Sequence, residues 1–576
     1  MNEERTQSSV RERRRERRRE AVSFFFVTHR FLWLMITGAL LTGLTVIFPQ
    51  IGFLQWLAMI PLFLGTYRFA DSLVASAKRA YVYGFLTVFC YYIVIYHWFL
   101  RMYPMDFVGL TNEESVFVVI LGWLGLSIVQ ALPGGLMFLF YHWLNQKGVF
   151  EMRPFLRPFV LPILWVILEW ISTIGWTGVP LGRLCLGQIK LLPIMQSASL
   201  LGSYFVSFLL LLVNALLAYA LYVAAKRVLC VALSGAILVA SLAFGFVRMA
   251  IRKNETHDRT VSVAVVQGNL SVYESWDDNS YRLMKEVHAT LTKQAVKAGA
   301  ELVIWPETTF PYTLSEIPDL QAFASNLARN CQVPLIIGAL DTDEVDNDYN
   351  VLYFVEKNGT IREETYQKRR LVPFGEYVPM GDFFSILLPP LADMMALGAG
   401  LTAGEEATYF ETEWGNAGAL ICYDSIYEDL TRDSVLAGAE WMIVASNDSW
   451  FRNSAAVDLH QAQAQLRAIE SGRYFASAVN TGISSLITSE GEIIGWLEKD
   501  VSGYAIADIS ARNDQTLYMT VGNLFVYCCM LLCAVLWFYG LYLRKHLADI
   551  RREQYLKENE ENVSDSILQK ERNAEE

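Results

Sequence analysis

Hydrophobic residues are concentrated in eight long runs along the chain. Seven runs precede residue 250, and the eighth stands alone near the C-terminus. A helix needs roughly 17–25 apolar residues to cross a bilayer, and each run is long enough to do so. The pattern therefore predicts seven membrane helices, an intervening segment and one further membrane helix. The runs lie at about 31–49, 51–67, 80–100, 116–143, 157–175, 198–224, 228–249 and 520–543.

The segment between the seventh and eighth runs has an ordinary globular composition in which short apolar strings alternate with helical stretches. "TVSVAVVQGN" and "AELVIWPE" predict buried strands, and 280–299 between them has helical periodicity. Strands buried on both faces and separated by helices predict a layered α/β domain. Further strands are predicted at 333–340, 349–361, 415–424, 440–448, 474–482 and 484–497, and further helices near 318–330, 426–437 and 454–473.

Five parts are thus predicted for the 576-residue chain. They are an Arg-rich tail, a transmembrane domain of about seven helices, the α/β domain, a C-terminal transmembrane helix and a charged tail. Their bounds are 1–30, 31–250, 258–515, 519–543 and 544–576. A hydrophobic content of 53% excludes an ordinary soluble enzyme.

Lysine and arginine residues indicate which way the chain crosses the membrane. Short loops rich in these residues stay in the cytoplasm, so "RERRRERRRE" places the N-terminus inside. Seven crossings then place 258–515 outside, and the eighth returns Arg544 and Lys545 to the cytoplasm. The N-terminal arginine run is interpreted as a cytoplasmic tail that sets this orientation, and no nucleic-acid partner is expected.

Only two of the eight cysteines, Cys331 and Cys422, lie in the α/β domain. The sequence has neither metal-ligand spacing nor a disulfide framework. Cys331 begins the apolar string "CQVPLIIGAL", which predicts a buried small hydrophobic residue. Cys422 instead ends the strand "GALI", directly before acidic and aromatic residues.

Three predicted strand ends carry polar groups that suit covalent acyl transfer: Glu307, Lys368 and Cys422. A thiolate attacks, and a nearby cation lowers the pKa of its thiol. A carboxylate can take the thiol proton and pass it on. An ammonium, together with the backbone N–H of Tyr423, can stabilise the oxyanion of a tetrahedral intermediate.

Each of these three residues also has an interpretation without catalysis. Cys422 could be structural, Glu307 a surface acid, and Lys368 in "QKRR" part of a solvated basic patch. Sequence spacing alone does not bring the three side chains together.

Several motifs, in order along the chain, resemble the blocks of the nitrilase superfamily: "WPET", "KRRLVPFGEYVP", "ICYD", "SNDSWF" and "HQAQAQLRAIESGRYFASAVNTGISSLI". In their specific form they resemble the apolipoprotein N-acyltransferase family of the bacterial inner membrane. The resemblance covers nearly the whole chain. It implies an extracytoplasmic, periplasmic αββα sandwich that is carried by a multi-pass transmembrane bundle and a last helix.

The resemblance also implies roles for individual residues. Glu307 would be the general base, Lys368 the oxyanion-stabilising lysine and Cys422 the nucleophile. Two departures from the family pattern occur: Asp424 stands where a glutamate is common, and the glycine that often follows Trp-Phe is absent after Phe451. Supporting or substrate-binding positions would be Trp276, Glu376, Tyr423, Asp424, Trp450 and Phe451.

The implied reaction transfers an acyl chain from phospholipid to the N-terminal diacylglyceryl-cysteine of an apolipoprotein through a thioester on Cys422, as the last step of lipoprotein maturation. It requires no metal or organic cofactor, and its partners are the phospholipid, the apolipoprotein and membrane lipid. The apolar stretch 380–401 is predicted to dip toward the bilayer or to cover an acyl chain. The alternatives are a membrane-tethered amidase for a small amide and a non-enzymatic membrane receptor with a degenerate nitrilase-like domain.

Overall fold

A bundle of apolar helices carries an α/β sandwich at one of its ends. This arrangement is seen in a computed structural model that describes residues 29–105, 110–255, 259–270, 278–381 and 400–546. In the bundle half, the described α-helices are α1 (Arg30–Ile47), α2 (Gln55–Ala58), α3 (Ile60–Ala70), α4 (Ala77–Ile95), α5 (Asn112–Gln146), α6 (Val149–Met152), α7 (Arg157–Ile171), α8 (Leu192–Met195), α9 (Ala198–Leu201), α10 (Ser203–Tyr222) and α11 (Arg227–Lys253).

Among the described residues, seven helices are long and apolar enough to cross a membrane. The run at 51–67 is not one of them, because it is divided into the 3-10 turn Pro49–Leu54, α2 and α3. Pro49 and Pro61 lack an N–H and are accommodated in the first turn of a new helical piece.

The divided segment nevertheless returns the chain to the end of the bundle from which α1 started. Gly38 in α1 faces Leu62 in α3, and Gly65 in α3 faces Leu34 in α1. These two contacts show that α1 and α3 are antiparallel. Arg68 therefore lies at the same end as Arg30, where both side chains line one cavity.

Two β-sheets form the centre of the α/β domain. The strands are β1 (Thr260–Gln267), β2 (Leu302–Ile304), β3 (Phe310–Thr313), β4 (Leu335–Thr342), β5 (Asp348–Val355), β6 (Ile361–Gln367), β7 (Tyr409–Phe410), β8 (Ala417–Ile421), β9 (Trp441–Ser446), β10 (Phe475–Val479), β11 (Ser485–Ile487), β12 (Ile493–Trp496) and β13 (Gly503–Ser510). The first sheet has the order β13-β1-β2-β4-β5-β6, with β3 beside β4. The second has the order β12-β11-β10-β9-β8-β7.

The central strands of each sheet are parallel and almost wholly apolar. In the first sheet Val265 is in register with Ile304, and in the second Ile421 is in register with Ala445. Their inner faces pack against each other in one buried core that includes Ile304, Ile421 and Trp441. Strands buried on both faces are what the uninterrupted apolar strings of the sequence predict.

Helices cover both outer faces of the paired sheets, which confirms the αββα sandwich. The helices of this half are α12 (Asp278–Lys297), α13 (Pro318–Cys331), α14 (Glu428–Ala437), α15 (Ala455–Ser471) and α16 (Leu517–Val521). The first two pack on the first sheet around Trp305 and Leu320. The layer formed by α14 and α15 shares a continuous hydrophobic core with the bundle, in which Leu466 and Leu186 both take part.

The chain then enters a last apolar helix, α17 (Leu524–His546), which is one of the seven of spanning length. Its first turns pack against the bundle, because the ring of Phe525 contacts Phe205 and Phe208 of α10.

Cys331 differs from its sequence prediction. It ends helix α13 and is half-buried, whereas the sequence had placed it at the start of a buried strand. The helix runs one residue further than its apolar periodicity suggests and stops at Gln332, which has a left-handed φ of 55°.

Candidate active site

Cys422 lies directly after β8 and opens the 3-10 turn Cys422–Ile426. Its φ of 48° is in the left-handed region, which a residue with a Cβ adopts only under constraint from its surroundings. Two groups contact its carbonyl oxygen: Ser425 Oγ donates to it at 2.7 Å, and His460 Nε2 lies 3.3 Å away. The thiol is thus held at the tip of a buried strand, and the residue is only 9% exposed.

Lys368 follows β6 and brings two carboxylates together. Its Nζ donates to Oε1 of Glu307 and to Oε1 of Glu376, each at 2.8 Å. The lysine is 1% exposed. The interpretation of Lys368 as part of a solvated basic patch is therefore wrong, since its ammonium points inward to two acids.

Glu307 is held by contacts from three directions. Besides Lys368, Asn350 Nδ2 donates to its Oε1 at 2.8 Å, and the backbone N–H of Asn447 donates to its Oε2 at 2.9 Å. A glycine in the neighbouring strand, Gly338, gives the chain room, because a Cβ there would lie 2.2 Å from the carbonyl oxygen of Pro306. The carboxylate is therefore fixed by strand ends from both sheets.

The charges of Glu307 and Lys368 act on the Cys422 thiol in opposite directions. Burial and the Glu307 carboxylate raise the pKa of Cys422 well above its usual value, and the Lys368 ammonium opposes them. Burial alone would lower the pKa of Lys368, but the carboxylates of Glu307 and Glu376 raise it. The resting site therefore contains a neutral thiol beside an ammonium.

Asp424 connects the Cys422 turn to the loop that follows Lys368. Its Oδ2 accepts from Tyr366 Oη at 2.8 Å and from the N–H of Ile421 at 3.1 Å, and its Oδ1 accepts from the N–H of Arg370 at 2.7 Å. Burial raises the pKa of Asp424 to about 6. The shorter side chain makes its bonds within its own turn and across to the strand of Tyr366, so it has the reach that these contacts need.

The neighbouring tyrosine, Tyr423, contacts the membrane half. Its hydroxyl donates to the carbonyl of Gly178 at 2.9 Å, and the hydroxyl of Tyr427 donates to the same oxygen. Gln463 of α15 donates to the carbonyl of Pro180 at 2.8 Å. The segment after α7 therefore contacts the α/β domain directly beside Cys422.

Trp450 and Phe451 lie in the 3-10 turn Ser449–Phe451, which follows β9. The Phe451 ring meets Trp98 of the bundle edge-on, with centroids 5.1 Å apart. Arg452 occupies the position where the family glycine is missing, and it adopts a left-handed φ of 48°. Its guanidinium donates to the carbonyls of Tyr103 and Pro104, so the loop takes a glycine-like turn and also contacts the bundle.

Two expectations fall on residues outside the described part of the chain. One is the supporting role of Trp276. The other is the apolar stretch 380–401, of which only the two residues at each end are described.

Sequence reasoning did not single out several polar residues that contact the site. Asn350 is the third residue of β5, Asn447 and Asp448 follow β9, and His460 lies in α15. Asn447 and Asp448 lie in the quoted block "SNDSWF", and His460 begins the block "HQAQAQLRAIE". The blocks therefore contained the signal, although no role was attached to these residues. Within the described residues, no group of three or more His, Cys, Asp or Glu side chains could hold a metal ion.

Comparisons with known proteins cover both halves of the chain. The sequence model of carbon-nitrogen hydrolases matches residues 262–516, and that of the apolipoprotein N-acyltransferase N-terminal domain matches residues 38–216. A protein of Geobacter metallireducens called apolipoprotein N-acyltransferase is 28% identical over 518 residues, which cover 88% of this chain and 94% of the relative. A protein of the same name from Allorhizobium ampelinum is 30% identical over 435 residues, which cover 74% of this chain and 79% of the relative.

Solved structures also match the α/β half. The crystal structure of Saccharomyces cerevisiae Nit3, a member of branch 10 of the nitrilase superfamily, is 21% identical with a TM-score of 0.36, and the match covers 45% of this chain and 92% of that one.

Proposed function

Because this chain belongs to the apolipoprotein N-acyltransferase family, we propose that it N-acylates lipoproteins through a thioester formed on Cys422. The acyl donor is a phospholipid, and the acceptor is the N-terminal amine of a diacylglyceryl-cysteine. Glu307 is the general base and Lys368 the cation that stabilises the oxyanion.

One observation carries the assignment of these roles. Lys368 Nζ and Glu307 Oε1 are 2.8 Å apart in a buried site, and the charges of both act on the Cys422 thiol. These three groups come from three separate strand ends, so their meeting is not a consequence of sequence proximity. A buried thiol, acid and ammonium are the groups that covalent acyl transfer needs.

The first half-reaction forms the acyl-enzyme. Glu307 takes the thiol proton, and the Cys422 sulfur attacks the ester carbonyl of the phospholipid. The Lys368 ammonium and the N–H of Tyr423 stabilise the resulting oxyanion. The C–O bond then breaks, Glu307 gives its proton to the departing lysophospholipid hydroxyl, and the acyl chain remains on sulfur.

The second half-reaction transfers the chain to nitrogen. The neutral α-amine of the apolipoprotein attacks the thioester carbonyl, and Glu307 takes one amine proton. The C–S bond breaks as the amide forms, and the proton returns to the Cys422 sulfur. Water would hydrolyse the thioester between the two steps, and the burial of Cys422 and Lys368 serves to exclude it.

A membrane location suits both substrates, because each carries acyl chains that stay in the bilayer. The α/β domain packs through α14 and α15 on the membrane bundle, and Gly178 of the bundle half contacts the residue next to the nucleophile. A small soluble amide would not require this contact, so the amidase alternative leaves it unexplained. The receptor alternative leaves the buried Glu307–Lys368 pair unexplained.

We place the α/β domain on the periplasmic side of the bacterial inner membrane. Arg30 and Arg68 line one cavity at the start of α1, and Arg157 pairs with Asp71 at that end. Basic residues of short loops stay in the cytoplasm. The other end of α1 leads to Gly52, whose carbonyl contacts Gln188 in the segment that carries the α/β domain.

Formation of a covalent adduct tests the chemistry. The purified full chain is incubated with phospholipid labelled in its acyl chain, without any lipoprotein. A hydroxylamine-sensitive label is expected on Cys422, and it should move to a diacylglyceryl lipopeptide that is added later. Cys422→Ala should carry no label, whereas the control Cys331→Ala should label normally. Label on the Cys422→Ala protein would refute the nucleophile, and hydrolysis of a small amide without any adduct would favour the amidase.

Labelling with a membrane-impermeant maleimide tests the orientation. Val345→Cys lies in an exposed turn of the α/β domain, and Leu73→Cys lies at the basic end of the bundle, with both native side chains exposed. In spheroplasts, Val345→Cys should react above the level of the parent protein and Leu73→Cys should react only after lysis. The reverse result would place the α/β domain in the cytoplasm.

A further inference from the structure

A buried His–Asp pair lies behind the nucleophile and takes no part in the proposed reaction. Nδ1 of His460 is 2.9 Å from Oδ1 of Asp448. Its Nε2 is 2.9 Å from Ser425 Oγ and 3.3 Å from the carbonyl oxygen of Cys422. Both side chains of the pair are buried.

The contacts determine which atoms carry protons. Ser425 Oγ donates its one proton to the Cys422 carbonyl, so both oxygens near Nε2 act as acceptors, and Nε2 donates toward them at 2.9 and 3.3 Å. The Asp448 carboxylate also accepts, so Nδ1 must donate as well. Both nitrogens donate only in the imidazolium form. Burial alone would lower the pKa of His460, but the carboxylates of Asp448 and Glu307 raise it above its usual value.

The carbonyl that receives these contacts belongs to a peptide unit with a second role. The Cys422 C=O and the Tyr423 N–H are in one planar group, so they point in nearly opposite directions. A hydrogen bond that fixes the C=O therefore also fixes the direction of the N–H. Donation to the carbonyl polarises the amide as well and makes the N–H a stronger donor.

We propose that His460, anchored by Asp448, is a positioning residue that holds and polarises the Cys422–Tyr423 peptide so that its N–H faces the oxyanion. The inference rests on the proposed function, because it assigns a task within that reaction. Ser425 is the second donor to the same carbonyl, at 2.7 Å.

The proposal predicts different effects of the same substitution on two reactions of the Cys422 sulfur. Acylation passes through a tetrahedral oxyanion and needs the Tyr423 N–H. Alkylation by iodoacetamide is a direct displacement at carbon that forms no oxyanion. A residue that acts through the peptide should affect acylation far more than alkylation. A residue that acted as the base for the thiol would affect both reactions.

Three variants of the full chain test this role: His460→Leu, His460→Gln and Ser425→Ala. The leucine removes both ring donors, whereas the glutamine amide can still donate to the Cys422 carbonyl. Loss of one oxyanion donor costs about 10²–10³-fold in other enzymes, so a misaligned donor should cost up to about 10²-fold. The measurements are the rate of labelling by phospholipid, its dependence on phospholipid concentration, and the rate of Cys422 alkylation at pH 9.

We expect His460→Leu to lower the maximal acylation rate by about 10²-fold, with a small change in half-saturating phospholipid and alkylation within about threefold of the parent. His460→Gln should recover most of the lost rate, and Ser425→Ala should lose about tenfold. Parallel losses of acylation and alkylation would overturn the proposal, as would a glutamine variant as slow as the leucine variant.

The test remains decisive if His460→Leu does not fold. Ser425→Ala and His460→Gln are then sufficient to test the proposal. Normal acylation by Ser425→Ala would contradict it, and so would loss of alkylation in His460→Gln. A parent protein that forms no adduct at all would instead mean that the proposed function fails.

Discussion

Arg183, in the segment after the membrane helix α7, forms a buried ion pair with Glu428 at the start of α14. The hydroxyl of Tyr204 donates to the same carboxylate at 2.6 Å, and Arg183 donates to Ser203 Oγ at 2.7 Å. Burial alone would raise the pKa of Glu428, but Arg183 and Arg467 lower it to about 2. This charged contact joins the bundle to the α/β domain in a buried interface.

Arg183→Met is therefore expected to destabilise the protein severely. It leaves the Glu428 carboxylate buried with only part of its compensation, and breaking a buried ion pair from one side costs about 3–5 kcal/mol. The measurement is thermal unfolding in a fixed detergent. Lys285→Met is the matched control, because its partner Asp319 is 68% exposed, and a pair at the surface is worth less than about 1 kcal/mol. Equal losses in the two variants would show that Arg183 has no special part in joining the halves.

Gly338→Ala is expected to displace Glu307. The added Cβ would lie 2.2 Å from the Pro306 carbonyl and 2.8 Å from the Glu307 Cα, and both are backbone atoms that cannot rotate away. A shift of about 1 Å in a catalytic group can cost about 10²-fold in rate, so a loss of that size is expected in acyl-enzyme formation. Gly235→Ala is the control, since a Cβ there would meet no atom within 4 Å. Normal acylation by Gly338→Ala would mean that the position of Glu307 is not critical.

The raised pKa of Cys422 predicts a specific pH dependence of alkylation. The thiol is neutral below its pKa, and the reactive thiolate fraction rises about tenfold per pH unit until the pKa is reached. Burial and Glu307 place that pKa well above the usual value. Alkylation by iodoacetamide in the Cys331→Ala background should therefore rise from pH 7 to pH 9 without a plateau, as followed by mass spectrometry of the Cys422 peptide.

Lys368→Met should slow this alkylation further at each pH, because it removes the ammonium that favours the thiolate of Cys422. A plateau below pH 8 in the parent protein would show that the resting thiol is already ionised, and that Glu307 is not needed to remove its proton.

Much of this arrangement could be predicted from the sequence. The strand ends that carry Glu307 and Cys422 are visible as apolar strings followed by a polar residue, and the structure has those strands. Lys368 instead follows β6, whose mostly polar sequence "IREETYQ" was not predicted as a strand. Spacing did not bring the three side chains together, since the distance along the chain between Glu307 and Lys368 says nothing about their contact. Only the resemblance to a known family indicated that the three side chains belong to one site.

Features that depend on partners far away in the sequence were missed. β13 has a mixed pattern, "GYAIADIS", and its place beside β1 is set by pairing across more than two hundred residues. Helix α15 has polar residues such as Gln463, Arg467 and Glu470 that suggest an exposed face, yet they are buried between the sheet and the bundle. Gln463 donates to the carbonyl of Pro180 and Glu470 accepts from the N–H of Ser203, both in the bundle half, whereas Arg467 pairs with Glu428 and Glu470. No local sequence pattern reveals these contacts.

The last prediction concerns the hydrogen bonds made by the short side chain of Asp424. Its carboxylate links the Cys422 turn to the N–H groups of Arg369 and Arg370 after Lys368, at 3.4 and 2.7 Å. Asp424→Asn replaces one acceptor oxygen with an N–H₂ group, which leaves a buried donor facing a donor and costs about 1–3 kcal/mol. The lysine loop should loosen, and we expect acyl-enzyme formation to slow by at least about tenfold.

Asp424→Glu distinguishes charge from fit at the same position. It restores the carboxylate but adds a methylene to a fully buried site, and such overpacking typically costs about 1–3 kcal/mol. Thermal unfolding and the rate of labelling by phospholipid should then give different results. The glutamate variant should be less stable than the parent protein but should label faster than the asparagine variant. If the glutamate variant is instead as stable as the parent and as slow as the asparagine variant, the geometry of the carboxylate, and not its charge, connects the two loops.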